Sequence, residues 1–162
     1  MIDPLAESLK LGMRRLATSV CIVTATNEEG EAQAMTVSSV TSVTANPASL
    51  LVCVNNESRF AALLAPGLPL AVNVLHSSHQ ALARLCADPA QHAERLLNKA
   101  WHWQGVLPYL ADAEAVFFTQ VETLIPYGTH LVVIAQVQSV NTRKDSLSPL
   151  LYADGTYRIL GQ

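Results

Sequence analysis

The apolar residues of this chain come in short runs, each cut off by a polar or turn-forming residue before it grows long. Leu50-Leu51-Val52-Cys53-Val54 stops at Asn55, and Leu131-Val132-Val133-Ile134-Ala135 stops at Gln136. Such runs are strand-sized, far short of the roughly 20 apolar residues that a membrane-spanning helix needs. Many short strands adjacent in sequence pair most simply as antiparallel neighbours and must bury one face against each other. The expected fold class is mainly β with α insertions: an antiparallel barrel interrupted by helices. At 162 residues the chain is expected to form a single domain over 1–162.

Composition narrows the function classes. Half the residues are hydrophobic and 14% are charged, which excludes a disordered chain. The formal net charge is −3, and ten Lys and Arg are spread thinly, so no electrostatic footprint for nucleic acid exists. So few charges on so apolar a chain predict surface hidden in a partner, for which a homodimer is the simplest hypothesis. Met1-Ile2-Asp3-Pro4 offers no basic stretch followed by an apolar one, so no signal peptide is expected. Cys21, Cys53 and Cys86 lie far apart, without a Cys-x-x-Cys pair, and read as buried small hydrophobes in a reducing cytoplasm.

The periodicity predicts an amphipathic helix over 3–18, with Asp3 and Pro4 as its N-cap and first residue and Leu5, Leu9, Met13 and Leu16 on one face. Strands are predicted over 19–26, 32–38 and 40–44. A wholly apolar strand over 50–55 is expected to be buried on both faces. A short helix capped by Ser58 should run to 64, then a buried strand over 70–75, then a helix from Ser77 or Ser78 to about 87. The stretch 88–110 reads as irregular. Two long strands, 113–125 and 130–143, are joined by a turn in which Gly128 supplies a positive φ. The chain ends in a hairpin around Asp154-Gly155.

Three polar clusters stand out against this background. Met35-Thr36-Val37-Ser38-Ser39-Val40-Thr41-Ser42 places hydroxyls and backbone N–H groups at a bend between strands, where they suit a phosphate or a heteroaromatic ring. The same run is also what β-propensity and turn-forming serines produce. Asn55-Asn56-Glu57-Ser58-Arg59 is expected to put a helix N-terminus beside a guanidinium, an anion site, or else an ordinary cap with a solvated Arg. His130 opens a strand after Gly128-Thr129 and is a candidate for chemistry or for structure. His76 and His79 read as a solvated face and His102 as packing between Trp101 and Trp103; no metal site is expected. No Gly-x-Gly-x-x-Gly is present, so a nicotinamide cofactor, if used, is not bound on a Rossmann unit.

These segments together closely resemble the short-chain flavin reductases, the reductase components of two-component flavin monooxygenases such as the 4-hydroxyphenylacetate 3-monooxygenase system. The likeness is carried by the run 35–44, Pro47, Leu50 to Asn55, Ala71-Val72-Asn73-Val74-Leu75, Gln80, Gly128-Thr129-His130, and Pro149-Leu150-Leu151-Tyr152 with Tyr157. It implies a flavin-binding split β-barrel, a homodimer, and an enzyme that passes hydride from NADH or NADPH to FMN or FAD. It also implies a separate flavin-dependent oxygenase that receives the reduced flavin. Carried over by position, Thr36, Val37, Ser38 and Ser39 contact the flavin ring and ribityl chain. Val54, Asn55, Ser58 and Arg59 line its phosphate end, Asn73 flanks the site, and Tyr152 and Tyr157 belong to the C-terminal part of it. His130 matches the histidine beside the nicotinamide.

The resemblance is incomplete in two places. Many members have Gly-Asp-His where this chain has Gly-Thr-His, and losing that carboxylate disfavours a charged imidazole at His130. No role is carried into 88–107, where the family's pattern does not align. Two other readings share the barrel: a non-catalytic flavin- or haem-binding carrier or sensor, and an oxidase of a phosphorylated pyridoxine-type amine. The latter expects more basic residues around the phosphate than Arg59 alone.

Overall fold

The computed structural model describes residues 3–161; Met1-Ile2, the start of the N-terminal segment read above, lies outside them. Helix α1 (Pro4–Met13) opens as expected, with the Asp3 carboxylate accepting from the Leu5 N–H at 2.9 Å. It ends sooner than its apolar stripe, and it buries none of its residues. The strands are β1 (Thr18–Ser19), β2 (Cys21–Thr26), β3 (Ala32–Val37), β4 (Thr41–Ala45), β5 (Ala48–Asn55), β6 (Pro69–Val74), β7 (Trp101–Gln104), β8 (Leu107–Leu110), β9 (Ala115–Tyr127), β10 (His130–Thr142), β11 (Leu150–Ala153) and β12 (Thr156–Ile159), with helix α2 (Gln80–Ala87) between β6 and β7.

Seven strands form one antiparallel sheet in the order β3-β2-β6-β9-β10-β5-β4. The sheet curls until β3 and β5 meet, and Ser39 fastens them. Its hydroxyl accepts from the Cys53 N–H and donates to the Cys53 carbonyl, both at 3.1 Å. β1, β11 and β12 make a small second sheet, and β7 and β8 pair as a hairpin.

Apolar side chains fill two cores on the two faces of the central strands. Val23, Val52, Val54, Leu70, Val72, Val121 and Val133 lie inside the barrel. Ile22, Ala71, Leu75, Leu110, Val116 and Leu150 face α2 and the β7–β8 hairpin on the other side. β2 is therefore buried on both faces, as a strand without polar alternation must be. β5 departs from that expectation: Leu50, Val52 and Val54 are buried but Leu51 and Cys53 are only half-buried. Its neighbour β4 is exposed throughout, so α2 and the hairpin cover the other end of the sheet.

Four further expectations are corrected. Ser58 does not start an α-helix; only a 3₁₀ turn, Ala61–Leu63, follows it. The ring of His76, rather than Ser77 or Ser78, caps the turn before α2: its Nδ1 accepts from the Ser78 N–H at 3.1 Å. His79 is buried and bonded to Asp112 at 3.0 Å, so this pair is no solvated face. The segment read as irregular holds a 3₁₀ stretch, Pro89–Glu94, and the β7–β8 hairpin. The buried hydroxyls of Thr24 and Thr26 dock that hairpin by donating to the carbonyls of Pro108 and Val106.

Candidate functional site

A cleft of about 470 Å³ opens where β3 and β5 end beside the C-terminus of α2. One wall consists of Met35, Thr36, Asn55, Glu57, Ser58, Arg59 and Phe60. Four residues named from the sequence, Thr36, Asn55, Ser58 and Arg59, are thus brought together. The opposite end of the sequence reading, 86–95, supplies the rest through Cys86, Ala87, Pro89, His92 and Arg95.

Much of the expected hydrogen-bonding capacity is already used by the fold. The Thr36 hydroxyl donates to the Ala83 carbonyl at 2.7 Å, which ties α2 to β3. Ser58 Oγ donates to the Asn55 carbonyl and accepts from the Ala61 N–H. Asn55 Oδ1 accepts from the Glu57 N–H at 2.9 Å, and its amide nitrogen remains uncommitted among the described residues. Val37 and Val54 are buried core residues, so only their backbone groups are available to a ligand. Ser38 is exposed at the bend after β3. Because Ser58 heads only a short 3₁₀ turn, the expected helix-dipole contribution is absent, and charge at this end comes from guanidinium groups instead.

Asn73, which the resemblance places at the flank of the site, is engaged by the fold. It is fully buried; its amide donates to the Ile22 carbonyl at 2.9 Å and its Oδ1 accepts from the Leu110 N–H at 2.8 Å. It staples the hairpin to the barrel. Ser39 is likewise spent on barrel closure.

His130 stands at the start of β10, exposed, with its Nδ1 2.9 Å from Thr129 Oγ1. It is the register partner of Asn55, which lines the cleft. The two-residue turn before it, in which Gly128 has φ 56°, is held by Asn56: its N–H bonds the Thr129 carbonyl and its amide the Gly128 carbonyl. Gly128 meets the expected positive φ, which a side chain with a Cβ adopts only under strain. Tyr152 and Tyr157 are an edge-to-face pair with ring centroids 5.4 Å apart. They line a neighbouring hollow with Arg84, Asp88 and Gln91, and Ala87 borders both it and the main cleft. Arg84 lies 5.0 Å from the Tyr157 ring centroid. Burial raises the Tyr157 phenol pKa, with Arg84 opposing.

Arg95 is the cleft residue that sequence reasoning missed. It is 8% exposed, and it donates to the carbonyls of Ala34 and Asp88, both at 2.8 Å. The signal that could have found its segment is Asp88-Pro89, the same cap-and-first-residue pair as Asp3-Pro4: Asp88 Oδ1 accepts from the Ala90 N–H. Burial pushes the Cys86 thiol beside it up to about 12, with Arg95 opposing, which disfavours the reactive thiolate.

The fold and cleft define a class: an antiparallel barrel with two arginines, Arg59 and Arg95, lining a cleft at its mouth. Residues 13–161 match the model of the flavin reductase like domain, and the chain belongs to that family. It is 36% identical to the reductase component of the FADH(2)-dependent resorcinol hydroxylase of a Rhizobium species, over 96% of this chain and 87% of that one. It is also 36% identical to the FMN reductase (NADH) RutF 2 of Methylorubrum extorquens, over 96% of this chain and 90% of the relative. Among solved structures, the styrene monooxygenase flavin reductase of Pseudomonas putida S12 superposes with a TM-score of 0.83 at 25% identity. That match covers 96% of this chain and 98% of the other.

Proposed function

We propose that this protein is an NADH-dependent flavin reductase that hands reduced FMN or FAD to a separate oxygenase. The observation that carries the reading is the arginine-bearing cleft at the mouth of a barrel of this family: Arg59 and Arg95 border it, and neither is in an ion pair among the described residues. A buried guanidinium without a counter-ion is costly, and a phosphate-bearing ligand relieves that cost. The cleft residues therefore fit the phosphate end of a flavin.

The bound flavin supplies the ring that accepts hydride from the nicotinamide. The chain supplies position. Backbone groups from Val37 to Ser38 and the free amide of Asn55 orient the ring and ribityl chain, while Ser58, Arg59 and Arg95 hold the phosphate end. His130, kept beside Asn55 by the β5–β10 register, orients the nicotinamide carboxamide. Tyr152 and Tyr157 form the far side of the site. None of these roles needs a nucleophile. NADH is favoured over NADPH because basic residues are few and a 2′-phosphate calls for another cation.

The whole chain acts as one domain in this reading, and two copies form a homodimer. Leu5, Leu9, Met13 and Leu16 of the N-terminal stripe are each more than half exposed, and Val43, Ile125 and Val140 on the outer sheet are also uncovered. A second copy is the partner that buries them. The three free cysteines fit a cytoplasmic setting, and no helix among the described residues is long and apolar enough to cross a membrane.

The test is nicotinamide oxidation by the purified protein with FMN, FAD or no added flavin. Turnover with NADH that depends on added flavin is expected. Bound flavin without turnover would favour the carrier or sensor instead.

A further inference from the structure

The turn that delivers His130 leaves one side-chain hydroxyl without a task in the fold. Asn56 braces both turn residues through their carbonyls: its N–H bonds the Thr129 carbonyl at 3.0 Å and its amide bonds the Gly128 carbonyl at 3.3 Å. β10 begins directly after, with His130 paired to Tyr127 on one side and to Asn55 on the other. The backbone is therefore set without help from the Thr129 side chain, which is exposed. Its hydroxyl makes a single hydrogen bond among the described residues, at 2.9 Å to Nδ1 of His130. Nε2, the distal ring nitrogen, has no partner among them. A neutral imidazole carries one N–H and one lone pair, and the bond made at one nitrogen decides which of these the other presents. A hydroxyl donates as well as accepts, and no other acceptor competes for the Thr129 proton among the described residues. Threonine is β-branched and restricted at χ1, so its hydroxyl is held against the ring rather than swinging through solvent.

We infer that Thr129 is a positioning residue that holds His130 in the Nε2–H tautomer, so that the histidine meets the nicotinamide carboxamide as a donor to its carbonyl oxygen. The inference rests on the flavin reductase reading above and deepens it by giving His130 a direction. The Thr129 hydroxyl donates to the Nδ1 lone pair, and Nε2–H is left free at the outer edge of the ring. The opposite tautomer presents a lone pair at Nε2 and accepts from the carboxamide NH₂ instead. A carboxamide has a donor end and an acceptor end, so the tautomer decides which way round it is held. Thr129 touches neither cofactor in this scheme; it acts through His130, and orientation of the hydride donor is where its effect is felt.

The experiment is nitrogen NMR of the histidine rings at alkaline pH, where imidazole is neutral, in the wild type, T129S, T129V and T129D. The His130 signals are assigned by their loss in H130Q. Wild type and T129S are expected to carry the ring hydrogen on Nε2. T129D is expected to move it to Nδ1, because a carboxylate only accepts. T129V, nearly the same shape without the hydroxyl, is expected to show both tautomers. The hydrogen on Nδ1 in wild type, or one tautomer throughout the series, overturns the inference. Steady-state kinetics at the same pH supply the second readout. T129V is expected to raise the KM for NADH about three- to tenfold, as loss of one oriented hydrogen bond implies, and to leave the KM for flavin unchanged. T129S recovers most of that loss, and T129D loses at least as much as T129V. An equal rise in both KM values in T129V overturns the inference, because it marks the hydroxyl as a support of the turn. An unchanged KM for NADH in both T129V and T129D overturns it as well. Wild type without NADH turnover defeats the functional reading, and the ring tautomers then decide the inference alone.

Discussion

The two walls of the cleft are built on different principles. The wall from β3 and β5 is fixed by ladder pairing, and polar side chains on it and near it are spent on the fold: Thr36 on Ala83, Ser39 just past β3 on Cys53, and Asn73 of β6 on Ile22 and Leu110. The wall from 86–95 has little regular structure, hangs on β3 through Arg95 to Ala34 and His92 to Gln33, and carries the unspent charge. A hydroxyl-rich strand looks like a binding motif in sequence, yet here it chiefly holds the frame. The irregular wall, which has no periodicity to read, supplies the group with the strongest reason to meet an anion.

The sharpest way to break this comparison is Asn73→Ala. It strands a buried carbonyl and a buried N–H, and a loss of about 2–4 kcal/mol of stability is expected in urea unfolding. Flavin affinity of the folded fraction should hold. A variant that keeps its stability and loses flavin affinity would return Asn73 to the ligand side. Next in size is His130→Ala. Since the side chain is exposed, the unfolding midpoint should not move. Loss of one orienting hydrogen bond should slow hydride transfer or raise the KM for NADH on the order of tenfold. Unchanged kinetics in stopped-flow reduction would make His130 structural. Ser39→Ala comes third, at about 1 kcal/mol of stability, because Cys53 can regain only part of what the hydroxyl gave. A larger effect on flavin binding than on stability would show that Ser39 serves the ligand first.

Legibility in the sequence followed the same divide. β-branched runs and turn residues placed nearly every strand of the barrel, and Gly128 placed the β9–β10 turn, because strand period and positive φ are local properties. The strand wall of the cleft was named residue by residue from family resemblance, but whether a hydroxyl faces a ligand or a neighbouring carbonyl is a tertiary fact. Asn73 shows this most clearly, since its two partners lie 51 and 37 residues away. The Ser58 helix failed for a related reason: the expected cap is present, bonding the Ala61 N–H, but Pro66-Gly67 follows too closely for helix propagation to outweigh its nucleation cost. The α1 stripe was legible as amphipathic, yet an apolar stripe says only that something covers it. Arg95 was beyond reach because its burial in the cleft lining depends on tertiary packing, and no spacing encodes that.

The smallest effect probes the coupling within the irregular wall. Burial, then Arg59, then Arg95, lower the pKa of His92 below its ordinary 6.5. The unfolded chain therefore takes up this proton at a higher pH than the folded one. By linkage, the contribution of His92 to stability is fully present above about 6.5. It declines as pH falls from there through the folded-state pKa, where both states bind the proton. His92→Gln should flatten that part of the stability profile in pH-dependent urea melts, with no change above neutral pH. Bound FMN brings negative charge to the same wall and raises the folded pKa of His92, so the dip should shrink and flavin affinity should increase modestly on acidification. Arg59→Met relieves one of the two repulsions and should shrink the dip without flavin. If the profile of R59M matches wild type, burial alone sets His92, and the two arginines act on the ligand without acting on their own neighbour.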